Sequence, residues 1–143
     1  MNGFGQPRIV LDTNVVFEGL TKRDSFSGLL IDYWFAGVVQ VAVSDSLAYE
    51  YVAVLSRKLS RRRWQQTRIA LANLLRKANQ TVIYFSWRPS SPDPGDEMVI
   101  DCAMNANAIL VTLNVRDFRL AQQELGLRVM TPMLFVLNWG KEG

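Results

Sequence analysis

Short apolar runs alternate with longer amphipathic stretches along the whole chain. IVL at 9–11, VQVAV at 39–43, TVIYF at 81–85, AILVT at 108–112 and LRVMT at 127–131 are compact and β-branched, and each predicts a strand. Between them the period lengthens to that of a helix. A helical pattern runs over about 15–37 with a break near Lys22–Ser25 and a stop at Gly37; SLAYEYVAVLSRK follows a Ser44 or Asp45 cap. Further helical patterns cover about 61–79 and 94–107, and a loop or short helix extends through about 124. Thr131–Pro132 then supplies a cap and first-turn pair for a C-terminal helix, MLFVLNW. Strands that are continuous apolar runs, separated by helices, belong to a mostly parallel sheet covered on both faces. The predicted fold is an α/β/α sandwich, three-layered around a roughly five-stranded sheet, with all 143 residues in one domain.

Composition removes more functions than it adds. The chain has no histidine, which eliminates Ser-His and Cys-His nucleophiles and most zinc sites, so any metal here is a hard one bound by oxygen. A single cysteine, Cys102, cannot form an internal disulfide, and no leader-like pattern opens the chain, so a reducing cytoplasm is expected. The longest apolar stretch, LLIDYWFAGVVQVAV, is interrupted by Asp32 and Gln40 and falls short of the roughly 18–20 residues of a membrane span. Net charge is only +3, but between Glu50 and Asp93 there are nine bases and no acid. That asymmetry suits a polyanionic partner. Within the basic region Arg62, Arg76 and Lys77 project outward from the 61–79 helix, while Trp64, Leu71, Leu74, Leu75 and Ala78 form its buried face.

The acids sit in unusual places. In an open parallel sheet ligands bind beyond the carboxyl ends of the strands, and there Asp12 follows one apolar strand while Thr112, Asn114 and Asp117 follow another. Glu50 lies at the edge of the face shared by Leu47, Tyr51 and Val54. The stretch DPGDEMVIDCA holds Asp93, Asp96, Glu97 and Asp101. With Asp93 as cap and Pro94 as first helical residue, Asp96 projects from the first turn onto the stripe of Val99, Ile100, Ala103 and Ala106. Glu97 lies on its flank, and Asp101 points away towards solvent. Asp12, Glu50, Asp96 and Asp117, brought together from separate elements, need a cation; without His or thiolate donors, Mg²⁺ or Mn²⁺ fits. The matching chemistry is phosphodiester hydrolysis. Asn14, two residues after Asp12, lacks the acid a haloacid-dehalogenase-like phosphatase needs, and no Gly-rich turn follows a strand as a nucleotide-binding loop requires.

These stretches together resemble a PIN domain of the kind found in VapC-type toxins of bacterial and archaeal toxin–antitoxin systems. IVLDTNVV is similar to the family's opening strand with its metal-binding Asp, which carries over to Asp12 with Thr13 and Asn14 as companions. SDSLAYEYVAVLSR looks like the helix bearing the second acid, Glu50. DEMVIDCAMNANAILVTLNVRDF resembles a helix-opening Asp (Asp96) seven residues before an Ala, then a strand ending in Thr112. Many members place an Asp two residues after that Thr, where this chain has Asn114; Asp117 is the acid that some members use instead. The resemblance implies a metal-dependent ribonuclease using Asp12, Glu50, Asp96 and Asp117, with Thr13, Asn14, Glu97, Thr112 and Asn114 in support. It also implies a homodimer, an RNA substrate and a small antitoxin partner; outward apolar residues such as Ile69 lend the dimer slight support. The competing expectation is a PIN-fold module that binds RNA or protein without cleaving it.

Overall fold

The computed structural model describes residues 7–86 and 94–142. In chain order these form β1 (Arg8–Leu11), α1 (Thr13–Thr21), α2 (Phe26–Ala36), β2 (Gln40–Val43), α3 (Asp45–Lys58) and α4 (Arg61–Arg76). There follow β3 (Asn79–Gln80), α5 (Pro94–Ala106), β4 (Ile109–Val111), a 3-10 turn (Val115–Phe118), α6 (Arg119–Leu125), β5 (Val129–Met130) and α7 (Pro132–Glu142). The strands make one five-stranded sheet in the order β3-β2-β1-β4-β5, parallel throughout. Consecutive residues Ile9, Val10 and Leu11 are all fully buried, as are Leu110 and Val111, so both faces of the central strands are covered.

The helix ends fall where the chain's chemistry puts them. Ser25, Ser44 and Ser60 each accept an amide hydrogen from the first turn of the following helix, and Thr131 does so for Leu134. Gly37 ends α2 at a φ of 77°, a left-handed conformation in which a side chain is strained. Gly19 lets α1 and α2 approach closely, since a Cβ there would meet Ile31 Cγ1 at 2.4 Å. The Asp93 cap expected for α5 lies outside the described residues.

One predicted strand is displaced. TVIYF was expected to pair over 81–85, but β3 comprises Asn79–Gln80 and pairs only with Ala42–Val43. Thr81 N–H still bonds the Val43 carbonyl at 3.0 Å, and there β2 gives way to the Ser44 cap of α3. Beyond that point the backbone has no strand to pair with. The Asn105 side chain takes over: its Oδ1 accepts from the Tyr84 and Phe85 amides at 2.9 and 3.2 Å, and its Nδ2 donates to the Phe85 carbonyl at 2.8 Å. Strand propensity yielded to the absence of a neighbour.

The strand order fixes where a ligand can bind. From β1 the chain moves to β2 and β3 on one side and only later to β4 and β5 on the other. β1 and β4 are therefore adjacent strands whose connections leave in opposite directions, which opens a crevice at their carboxyl ends. No helix among the described residues is long and apolar enough to cross a membrane.

Candidate active site at the ends of β1 and β4

Asp12 is the residue at which β1 ends and α1 begins. Its backbone N–H closes the sheet by bonding the Val111 carbonyl at 2.9 Å, so the side chain emerges at the crevice. It is only 7% exposed, and each carboxylate oxygen is engaged: Oδ1 accepts the Thr13 N–H at 2.8 Å and Oδ2 the Thr112 hydroxyl at 2.7 Å. Thr112 holds the matching position after β4, and its own N–H bonds the Met130 carbonyl at 2.9 Å. A buried carboxylate with donors on both oxygens is held in one orientation.

The chain of hydrogen bonds continues outward. Thr112 Oγ1 accepts the Asn114 N–H at 3.1 Å, and Asn114 Nδ2 donates to Asp117 Oδ2 at 2.8 Å. Asn14 Oδ1 accepts from the Leu113 amide at 3.4 Å, tying the two strand-end loops together. Of the predicted site residues, Asp12, Thr13, Asn14, Thr112, Asn114 and Asp117 thus form one connected group. The Asn114 amide orients the acid three residues on.

Glu50 and Asp96 lie on other elements, α3 and α5, and do not form a three-acid cluster with Asp12 among the described residues. Glu50 is half-buried on α3, whose Leu47 and Tyr51 are fully buried as their shared face predicted. Tyr51, expected only as a core residue, donates its phenol to the Leu11 carbonyl at 2.5 Å and so anchors the turn beside Glu50 to the end of β1. Burial raises the Tyr51 pKa well above the phenol's ordinary value, and repulsion from Cys102, once ionised, and from Asp12 pushes the same way, so the phenol remains a donor. Asp96 is half-buried in the first turn of α5, where the helix dipole favours a carboxylate.

The helix-face assignment for α5 needs correction. Asp101 was expected in solvent, but it is 3% exposed, and Glu97 on the same side is 6% exposed. The projection assumed one buried stripe. In the fold α5 packs on β1, β2 and β4 and also against α3. Glu97, Asp101 and Asn105 align at four-residue intervals, and at the Asn105 end of that side the 84–85 backbone is bonded to the helix. Asp101 also lies within electrostatic reach of Cys102. That thiol is raised to about 11, by burial first, while hydrogen bonds from Ser44 and Thr81 pull the other way and Asp101 adds to the rise.

The matching family model, PIN domain, covers residues 8–116, which spans every element from β1 to the 3-10 turn. The chain belongs to the PIN-domain family. Solved structures agree in fold. A chain of VapBC2 from Rickettsia felis, solved bound to a DNA fragment from their promoter, superposes with a TM-score of 0.63 at 15% identity, covering 87% of this chain and 98% of that one. DNA-bound VapBC from Salmonella typhimurium gives 0.64 at 13% identity over 89% and 99%. VapBC-1 from nontypeable Haemophilus influenzae gives 0.57 at 15% over 88% and 98%. No curated protein sequence matches the chain.

PIN domains generally use divalent metal ions, so the donors here have to be tested against one. Among the described residues no three acid or cysteine side chains converge tightly enough to enclose an ion by themselves. Mg²⁺ does not require such a cage, because it keeps several waters and takes one or two carboxylates. Asp12, held by Thr13 and Thr112, is an oxygen donor of the kind such an ion takes. The all-oxygen donor set and the fixed rotamer of Asp12 fit a hard cation.

Proposed function

We propose that the protein is a Mg²⁺- or Mn²⁺-dependent endoribonuclease that hydrolyses RNA phosphodiester bonds, the toxin of a VapC-like toxin–antitoxin pair. The observation that carries this reading is Asp12, buried at the sheet's switch point with both oxygens oriented by Thr13 and Thr112. Membership of a family whose members are typically nucleases supports it.

In this reading Asp12 holds the ion, with Glu50 and Asp96 completing the site and Asp117 assisting from the far end of the Thr112–Asn114 chain. When bound, the ion supplies water activation and stabilises charge on the phosphate. The protein does the positioning. Thr112 keeps Asp12 in one rotamer, Asn114 holds Asp117 in one orientation, and Tyr51 fixes the α3 turn that carries Glu50. Glu97 assists from its buried place on α5. Arg62, Arg76 and Lys77 contribute outlying positive charge for RNA; all three side chains are exposed.

The solved neighbours are VapBC complexes, which supports a small antitoxin as partner. A groove of about 420 Å³ lined by Leu20, Ile31, Phe35, Ala70 and Leu74 offers such a partner apolar surface, with Arg23 and Asp32 paired at its rim. Exposed apolar side chains such as Ile69 suit a homodimer, and a single free thiol is compatible with a cytoplasmic setting.

The test is cleavage of a mixed RNA pool by purified protein with Mg²⁺ or Mn²⁺, beside Asp12→Asn and an EDTA control. Cleavage by wild type alone, abolished by EDTA, is expected. If wild type and Asp12→Asn both leave RNA intact while binding it, the protein is a non-cleaving RNA-binding module.

A further inference from the structure

A second groove, of about 350 Å³, opens beside the crevice and is not part of the acidic site. It begins at Thr13, Asn14 and Leu113, the residues that flank Asp12 and Thr112. From there it runs between α1 and the last turns of α3, over a floor that includes Phe17 and Val54, to Lys22, Arg57 and Lys58. From Asn14 to Lys22 the path follows about two turns of helix, roughly 12 Å.

The far rim is strongly cationic. Lys22, Arg57 and Lys58 are exposed, and none of their side chains has an ion-pair or hydrogen-bond partner among the described residues. Lys58 instead sits 5.3 Å over the Phe17 ring, which holds its ammonium at the groove. The one acid in the lining, Glu18, accepts the Ser27 hydroxyl at 2.6 Å and pairs with none of the three. The helix dipole accounts for bases at the C-terminal ends of α1 and α3, but not for their gathering around one groove that leads to Asp12.

We propose that this groove is the track for a single-stranded RNA on one side of the scissile phosphate. Arg57, Lys58 and Lys22 meet backbone phosphates, and Phe17 and Leu113 meet sugars or bases. An apolar floor with a cationic rim is the combination that single-stranded nucleic acid uses, and continuity with the loops of Asp12 and Thr112 gives the strand its direction. The inference rests on the ribonuclease reading. It places strand binding on the α1–α3 groove, ahead of the α4 bases that the sequence singles out.

The experiment measures binding of a fluorescein-labelled single-stranded RNA to the full chain over a range of salt, in the Asp12→Asn background so that the probe stays whole. Each phosphate contact on a single strand contributes about 0.7 to the slope of log K against log salt. Arg57→Gln with Lys58→Gln is expected to lower the slope by about 1.4, while Arg63→Gln with Arg68→Gln, an equal loss of charge on α4, leaves it nearly unchanged. Equal reductions in both pairs, no change in the groove pair, or no salt-dependent binding at all would overturn the proposal. Cleavage by wild type is scored separately. A groove-dependent slope without any cleavage refutes the ribonuclease reading and leaves the track standing, whereas cleavage without a groove-dependent slope refutes the track alone.

Discussion

Asp12 and Asp101 are both buried carboxylates, 7% and 3% exposed, but the fold holds them in different ways. Asp12 stands at a strand end, outside the apolar sheet, with its two oxygens taken by Thr13 and Thr112 in an arrangement that faces the crevice. Asp101 lies in the middle of α5 beside a thiol whose proton it helps to retain. Burial alone does not mark a functional acid, so substitution is what separates the two.

The largest effect should separate these two regions outright. Asp12→Asn and Asp96→Asn should each reduce metal-dependent RNA cleavage to background, whereas Asp101→Asn should keep it within a few fold when assayed well below its melting temperature. Instead, Asp101→Ala should lose roughly 1–3 kcal/mol of stability, seen as a drop of several degrees in a thermal melt. Equal loss of cleavage at Asp12 and Asp101 would erase the distinction.

A smaller effect tests how Asp12 is aimed. Thr112→Val removes the hydroxyl from Oδ2 and should lower cleavage, and the apparent affinity for the ion, about 10–100-fold with little change in melting temperature. Asn114→Ala, one bond further out, should cost less than Thr112→Val in the same assay. If Asn114 proves the more costly, Asp117 is closer to the chemistry than Asp12's chain implies.

The smallest effect belongs to the α5 side. The Cys102 thiol is raised from 9.0 to about 11 in the folded protein, so the unfolded chain releases this proton first as pH rises. Its contribution to stability is complete below about pH 9 and declines between 9 and about 11. Urea melts at pH 8 and 10.5 should show the loss, and Cys102→Ala should flatten the difference. An unchanged pH dependence in Cys102→Ala would place the effect elsewhere.

The strand-end half of the site was readable because topology leaves little choice there. A polar residue directly after a fully buried parallel strand must emerge at the carboxyl edge, and Asp12 and Thr112 do so in register. The capping serines, the Gly37 stop and the parallel five-stranded sheet follow from equally local chemistry. The α5 face and the 81–85 segment were not readable, because both depend on tertiary contacts: Asn105 grips the Tyr84–Phe85 backbone where β2 has ended, and α5 packs against α3 as well as the sheet. A periodic pattern records which side of a helix is apolar, not whether a further segment lies across its polar side. The helical spacing marks Tyr51 as core but says nothing of its hydroxyl, which bonds Leu11 beside the site. A buried tyrosine in the turn of an acid is the signal that points to it.

The central claim is that the ion is held at the β1–β4 crevice through Asp12. Calorimetric titration of Mn²⁺ into wild type, Asp12→Asn and Asp101→Asn, without RNA, tests it directly. The account predicts saturable binding to wild type and Asp101→Asn that disappears in Asp12→Asn. Indistinguishable binding isotherms for wild type and Asp12→Asn would contradict it.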